Sequence, residues 1–116
     1  MNMLTMPDLL IIQDGQKVYI GRPAQPVDEQ VKSRIAMAVA ETGIVHESHL
    51  PHVYIPNLMT TAGPVLFVRT NVDLDQVSKA VEKIVASAPE IQLYVLPLSE
   101  RSQLWAMVRD QQCQLT

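Results

Sequence analysis

This chain of 116 residues has a single cysteine, Cys113. One thiol cannot close an internal disulfide, which excludes a disulfide-built secreted framework. Long hydrophobic runs are missing as well. Runs such as Leu9-Leu10-Ile11-Ile12 stop far short of the ~18–20 residues that cross a bilayer. The start, residues 1–8, has no positive region and does not read as a secretory signal. Basic clusters are also absent. The nine Lys and Arg are scattered among 12 acids, for a net charge of −3. The closest basic pairs, Lys32 with Arg34 and Lys79 with Lys83, lie in helical stretches that also carry acids. Nucleic-acid binders show a basic stripe interleaved with aromatics, and this chain has only five aromatics. The four glycines, Gly15, Gly21, Gly43 and Gly63, stand singly at turns, so no phosphate-cradling loop is present. A soluble protein of a reducing compartment, the cytoplasm, is the expectation, with no nucleic-acid or membrane partner.

The chain is instead rich in aliphatic residues. Leu, Ile, Val and Phe make up about 30% of it, well above the ~20% at which disorder sets in. The length suits one domain, residues 1–116, with residues 1–7 and 112–116 expected to fray.

Periodicity places the elements. Leu9-Leu10-Ile11-Ile12 reads as a strand. Asp14-Gly15 and the alternating Lys17-Val18-Tyr19-Ile20 follow, a hairpin signal. Val27, Val31, Ile35, Ala38 and Val39 form one apolar stripe after Pro26, with Asp28 and Glu29 at the start and Gly43 at the stop. Val53 and Ile55 alternate with His52 and Tyr54, while Pro51 marks an edge or break. Pro64-Val65-Leu66-Phe67-Val68 reads as a central strand. Asp73 caps a second stripe of Leu74, Val77, Val81, Ile84, Val85 and Ala88, which Pro89 stops. Ile91, Leu93 and Val95 give a last strand. A third helical segment follows Ser99, with Leu104, Trp105 and Val108 on one side.

The order ββαββαβα predicts an α+β, two-layer sandwich with a mainly antiparallel sheet and helices on one face. It fits a ferredoxin-like variant. The Asp14-Gly15 hairpin competes with that sheet, whose first strand already has two neighbours. A longin- or roadblock-like order, which begins with a hairpin and then a helix, is the alternative.

All three histidines fall in His46-Glu47-Ser48-His49-Leu50-Pro51-His52. Imidazole is the commonest side-chain metal ligand, and a turn at His49-Leu50-Pro51 would gather His46, His49 and His52 around zinc or nickel. On an extended strand, His46 and His52 share a face and His49 points away. The plain alternative is a polar segment with solvated rings. A histidine acid/base is conceivable, but the sequence supplies no partner for it, and Asp73 and Asp75 are explained by helix capping. The loop at residues 57–63 is long for a hairpin and carries Leu58 and Met59, apolar and adaptable residues suited to partner contact. Trp105 is a third contact candidate, docking on the sheet of its own domain or on a neighbouring chain.

The sequence therefore points first to a small non-catalytic protein of regulatory or adaptor type. It would act by self-association, as a homo-oligomer with a dimer favoured, and by binding a protein partner. A metal- or small-ligand-binding sensor and an enzyme with a histidine acid/base are the alternatives.

Overall fold

The computed structural model describes residues 17–22, 27–56, 59–99 and 101–115. The Leu9-Leu10-Ile11-Ile12 strand and the Asp14-Gly15 hairpin expected above lie outside the described residues. The elements are β1 (Tyr19–Gly21), α1 (Glu29–Thr42), β2 (Glu47–His49), β3 (His52–Tyr54), β4 (Gly63–Arg69), α2 (Leu74–Ala86), β5 (Tyr94–Leu98) and α3 (Leu104–Asp110).

The aliphatic run of β4 lies at the centre. Val65, Leu66 and Phe67 are fully buried and Val68 nearly so. On one side β4 pairs antiparallel with β2, through Ser48↔Val68 and His49↔Phe67, and with β3, through Val53↔Gly63. On the other side β5 runs parallel to it, from Val65↔Tyr94 to Arg69↔Leu98. β2 and β3 are two halves of one line, interrupted at Leu50-Pro51. Pro51 has no N–H to give, but its carbonyl accepts from Val65 N–H at 3.2 Å. The far side of β3 takes β1. The far side of β2 takes the C-terminal tail, through a bridge between His49 and Gln114.

This is an α+β sandwich with a mixed sheet. It does not reproduce the ferredoxin-like order. That order sets the first strand beside the strand that precedes the second helix. Here both sides of β4 are already taken, by β2 and β3 on one flank and by β5 on the other, and β1 stands beside β3 instead. The continuous apolar character of β4 makes it the two-sided centre, whereas β1, with Tyr19 exposed, takes a flank.

Alternation along β4 divides the core. Leu66 and Val68 face the cluster built with Val31, Ile35, Ala38 and Val39 of α1 and Val77, Val81 and Ile84 of α2. Val65 and Phe67 face the other way, with Val53, Ile55, Leu96 and Leu98, and there Trp105 and Val108 of α3 close over them. The two main helices thus share one face, as their stripes predict, and short α3 covers part of the opposite one. Each fully buried large aliphatic side chain stabilises by roughly 1.5–3 kcal/mol.

The caps form where the residue types favour them. The Asp73 carboxylate accepts from Gln76 N–H at 3.0 Å, and Asp28 accepts from Gln30 N–H at 3.4 Å. Gly43 ends α1 in the left-handed region, at φ 71°.

The tail departs from the expected fraying. Gln112 adopts φ 57°, turning the chain back after α3. Leu50 N–H then donates to the Cys113 carbonyl, and Leu115 N–H to that of Ser48, both at 2.9 Å. Leu115 packs against the α1–α2 core. An open strand edge and the lone aliphatic Leu115 hold this largely polar segment.

Candidate functional site

The three histidines are not brought together. His46 is exposed, and its N–H donates to the Arg69 carbonyl at 2.8 Å. His52 is half-buried on β3 and lines a cleft beside Val27, Asp28 and Val31, on the α1 side of the sheet. His49 lies on the α3 side, 2% exposed, its ring centroid 5.8 Å from that of Trp105. Among the described residues, no group of three His, Cys, Asp or Glu side chains could hold a metal ion. The Leu50-Pro51 break does not curl the segment, so neighbouring parities keep His49 and His52 on opposite faces.

What gathers instead is a charge cluster around Glu47. Its side chain is 12% exposed. Arg109 of α3 grips it with two bonds, Nε to Oε2 and Nη2 to Oε1, each 2.8 Å. Arg69 of β4 adds Nε to Oε1 at 3.3 Å. His49 Nε2 lies 2.6 Å from Oε2. Bidentate guanidinium–carboxylate contacts are the strong kind of charge-assisted bond. Arg109 above all, with His49 adding to it, draws the Glu47 carboxyl down to about 2, against the opposing push of burial. The same contact raises Arg109. The Arg109 guanidinium also sits 5.3 Å from the centre of the Trp105 ring, a cation–π contact.

Because Glu47 is ionised, the proton on this side of the His49 ring belongs to Nε2, which donates. Nδ1 is buried and has no hydrogen-bond partner among the described residues. An unpaired buried polar atom costs about 1–3 kcal/mol. A histidine held by a carboxylate is the pairing that general-base catalysis employs. In this arrangement one nitrogen is committed to Glu47 and the other is walled in, so His49 offers no nitrogen to a substrate. The pair acts as part of a clamp between β2 and α3.

The apolar contact candidates divide as well. Trp105 is 2% exposed, and its Nε1–H donates to the Ser99 carbonyl at 2.8 Å. It docks on the sheet of its own chain. Met59 is half-buried, packs against the α3-side cluster and also lines the cleft. Leu58 lies outside the described residues.

That cleft measures about 900 Å³. His52, Asp28, Glu90, Gln92 and Tyr94 are among its polar groups, with Met59 and Ile91 among its apolar ones. Glu90 is already ion-paired with Arg34, which lowers the Glu90 carboxyl. Two residues along β3 from His52, and so on the same face, stands Tyr54. It stacks on Tyr19 of β1 with centroids 6.3 Å apart. Tyr19 is 56% exposed.

Alternation offered one signal for the charge cluster: Glu47 and His49, two apart on a strand, share a face. Nothing local pointed to Arg69 or Arg109 as their partners. Tyr19 and Tyr54 carried no signal either, since their contact depends on the β1–β3 register. No known family model matches the chain, and neither a curated protein nor a solved structure does. No helix among the described residues is long and apolar enough to cross a membrane.

Proposed function

We propose that this protein acts by association rather than catalysis, through the β1–β3 end of the sheet and the cleft beside it. A second copy is the first partner, giving a homodimer that is then open to a further protein. The observation that carries this reading is the stack of exposed Tyr19 on half-buried Tyr54, on the sheet face that also carries His52. Tyrosine is enriched at protein interfaces, and its ring contributes large contact area with few torsions to order. Among the described residues, the other exposed large apolar side chains, Met37 and Met107, stand on α1 and α3. Twofold dimers are the commonest homo-oligomers.

Light scattering across micromolar concentrations tests this reading. A dimer is expected, with Tyr19→Ser weakening it by about tenfold or more, equivalent to ~1.4 kcal/mol, while the circular dichroism spectrum stays unchanged. A monomer at every concentration overturns it.

Small-ligand binding is the second reading. It rests on half-buried His52 in a cleft whose volume falls in the ~300–1,000 Å³ range of ligand sites. Saturable movement of the His52 ring signals with a fragment library, and none for His46, supports it. The zinc or nickel sensor draws no support from the positions of the rings.

A further inference from the structure

We propose that the C-terminal arm, residues 104–115, is a strap that opens as a unit while the sheet, α1 and α2 stay folded, alternately covering and freeing the outer edge of β2. The arm is held at four places. Trp105 and Val108 sit in the α3-side cluster, Arg109 grips Glu47, Gln112 Oε1 accepts from Arg22 Nη2 at 3.4 Å, and residues 113–115 run along β2. The ladders around β4 do not involve the arm. Opening it leaves the ladders and the α1–α2 pairing in place, while it gives up the Leu115 contact and uncovers the face of Val65 and Phe67 beneath Trp105 and Val108.

Two features make the closed form costly in ways that opening relieves. The first is His49 Nδ1, shut in without a partner where Trp105 lies against the ring and the tail bridges the His49 backbone. With the arm lifted, water reaches that nitrogen. The second is Gln112, the one non-glycine residue with positive φ among the described residues, which returns to ordinary backbone space. The clamp itself is half open to solvent. The Arg109 side chain is 52% exposed, so water can replace the carboxylate at that guanidinium. Segments with strain, exposed ion pairs and few backbone ties are those that open locally, ahead of the global transition.

Trp105 is the only tryptophan and lies in the arm, whereas α1 and α2 hold most of the helical residues. Urea titrations read by Trp105 fluorescence and by far-ultraviolet circular dichroism therefore separate the strap from the body. In the native sequence, fluorescence should change at lower urea than dichroism. Glu47→Gln should lower the fluorescence midpoint and leave the dichroism midpoint in place. Gln112→Gly, which removes the backbone strain and with it only a long, exposed hydrogen bond from Arg22, should raise the fluorescence midpoint alone. Superimposable curves in all three proteins overturn the proposal, as does a Glu47→Gln variant in which both midpoints fall together. If Glu47→Gln does not fold, the native and Gln112→Gly titrations decide by the same criteria.

Discussion

Glu47 and Arg109 stand 62 positions apart in sequence and meet through two parallel 2.8 Å hydrogen bonds, one to each carboxylate oxygen. This contact ties the last helix to the strand that carries His49. It also holds the Glu47 carboxyl well below the ordinary carboxylate range.

Acid should weaken that tie in a defined window. The Glu47 carboxyl lies lower in the folded chain than its ordinary ~4.3, at about 2. A depressed carboxylate contributes stability that is complete above its unfolded value and disappears as pH falls through its folded one. With Arg109 half exposed, screening leaves a contribution on the order of 1–2 kcal/mol. Native protein should exceed Glu47→Gln by that amount at neutral pH. The gap should close between about pH 4.5 and pH 2, read as the urea midpoint of Trp105 fluorescence.

Zinc should bind without stoichiometric, histidine-dependent heat. His46 is exposed, His49 is committed to Glu47, and His52 lies across the sheet from His49. Calorimetry should give the same isotherm for native protein and for His46→Ala with His52→Ala. Tight binding lost in that double variant would restore the metal reading.

The core should tolerate change at His49 better than at Phe67. Phe67→Ala empties a fully buried site on the α3-side face and should cost ~3–5 kcal/mol. His49→Phe loses one hydrogen bond to Glu47 but also removes the unpaired Nδ1, so its net cost should stay within about 1.5 kcal/mol. Chemical denaturation followed by circular dichroism ranks the two. Equal costs would mean that the Glu47 contact outweighs the buried orphan.

Gly43 should resist substitution for backbone reasons alone. A Cβ added there meets nothing within 4 Å, but φ is +71°. Gly43→Ala should cost about 1–2 kcal/mol, and Gly43→Asn less, because Asn visits the left-handed region more readily. Thermal melts of the two variants check the order. Equal melting temperatures would show that α1 can end in another geometry.

The amino-acid sequence by itself determined the elements that depend on near neighbours. The stripes of α1 and α2, the Asp73 and Gly43 caps, and the buried run of β4 follow from spacing and residue type, whereas α1 begins at Glu29, with Asp28 as its cap and not a residue of its first turn. The opposite facing of His49 and His52 followed from strand alternation. Tertiary structure alone decided the strand order around β4, the pairing of residues 113–115 with β2, and the meeting of Glu47 with Arg69 and Arg109. It also decided that Trp105 is spent within its own chain and that Tyr19 stacks on Tyr54. The reason is the range of the interactions. A helix stripe or a cap is set within a few residues by backbone geometry, so it leaves a periodic trace in the chain. A guanidinium and a carboxylate brought together from 62 positions away leave none, because the intervening fold supplies the proximity.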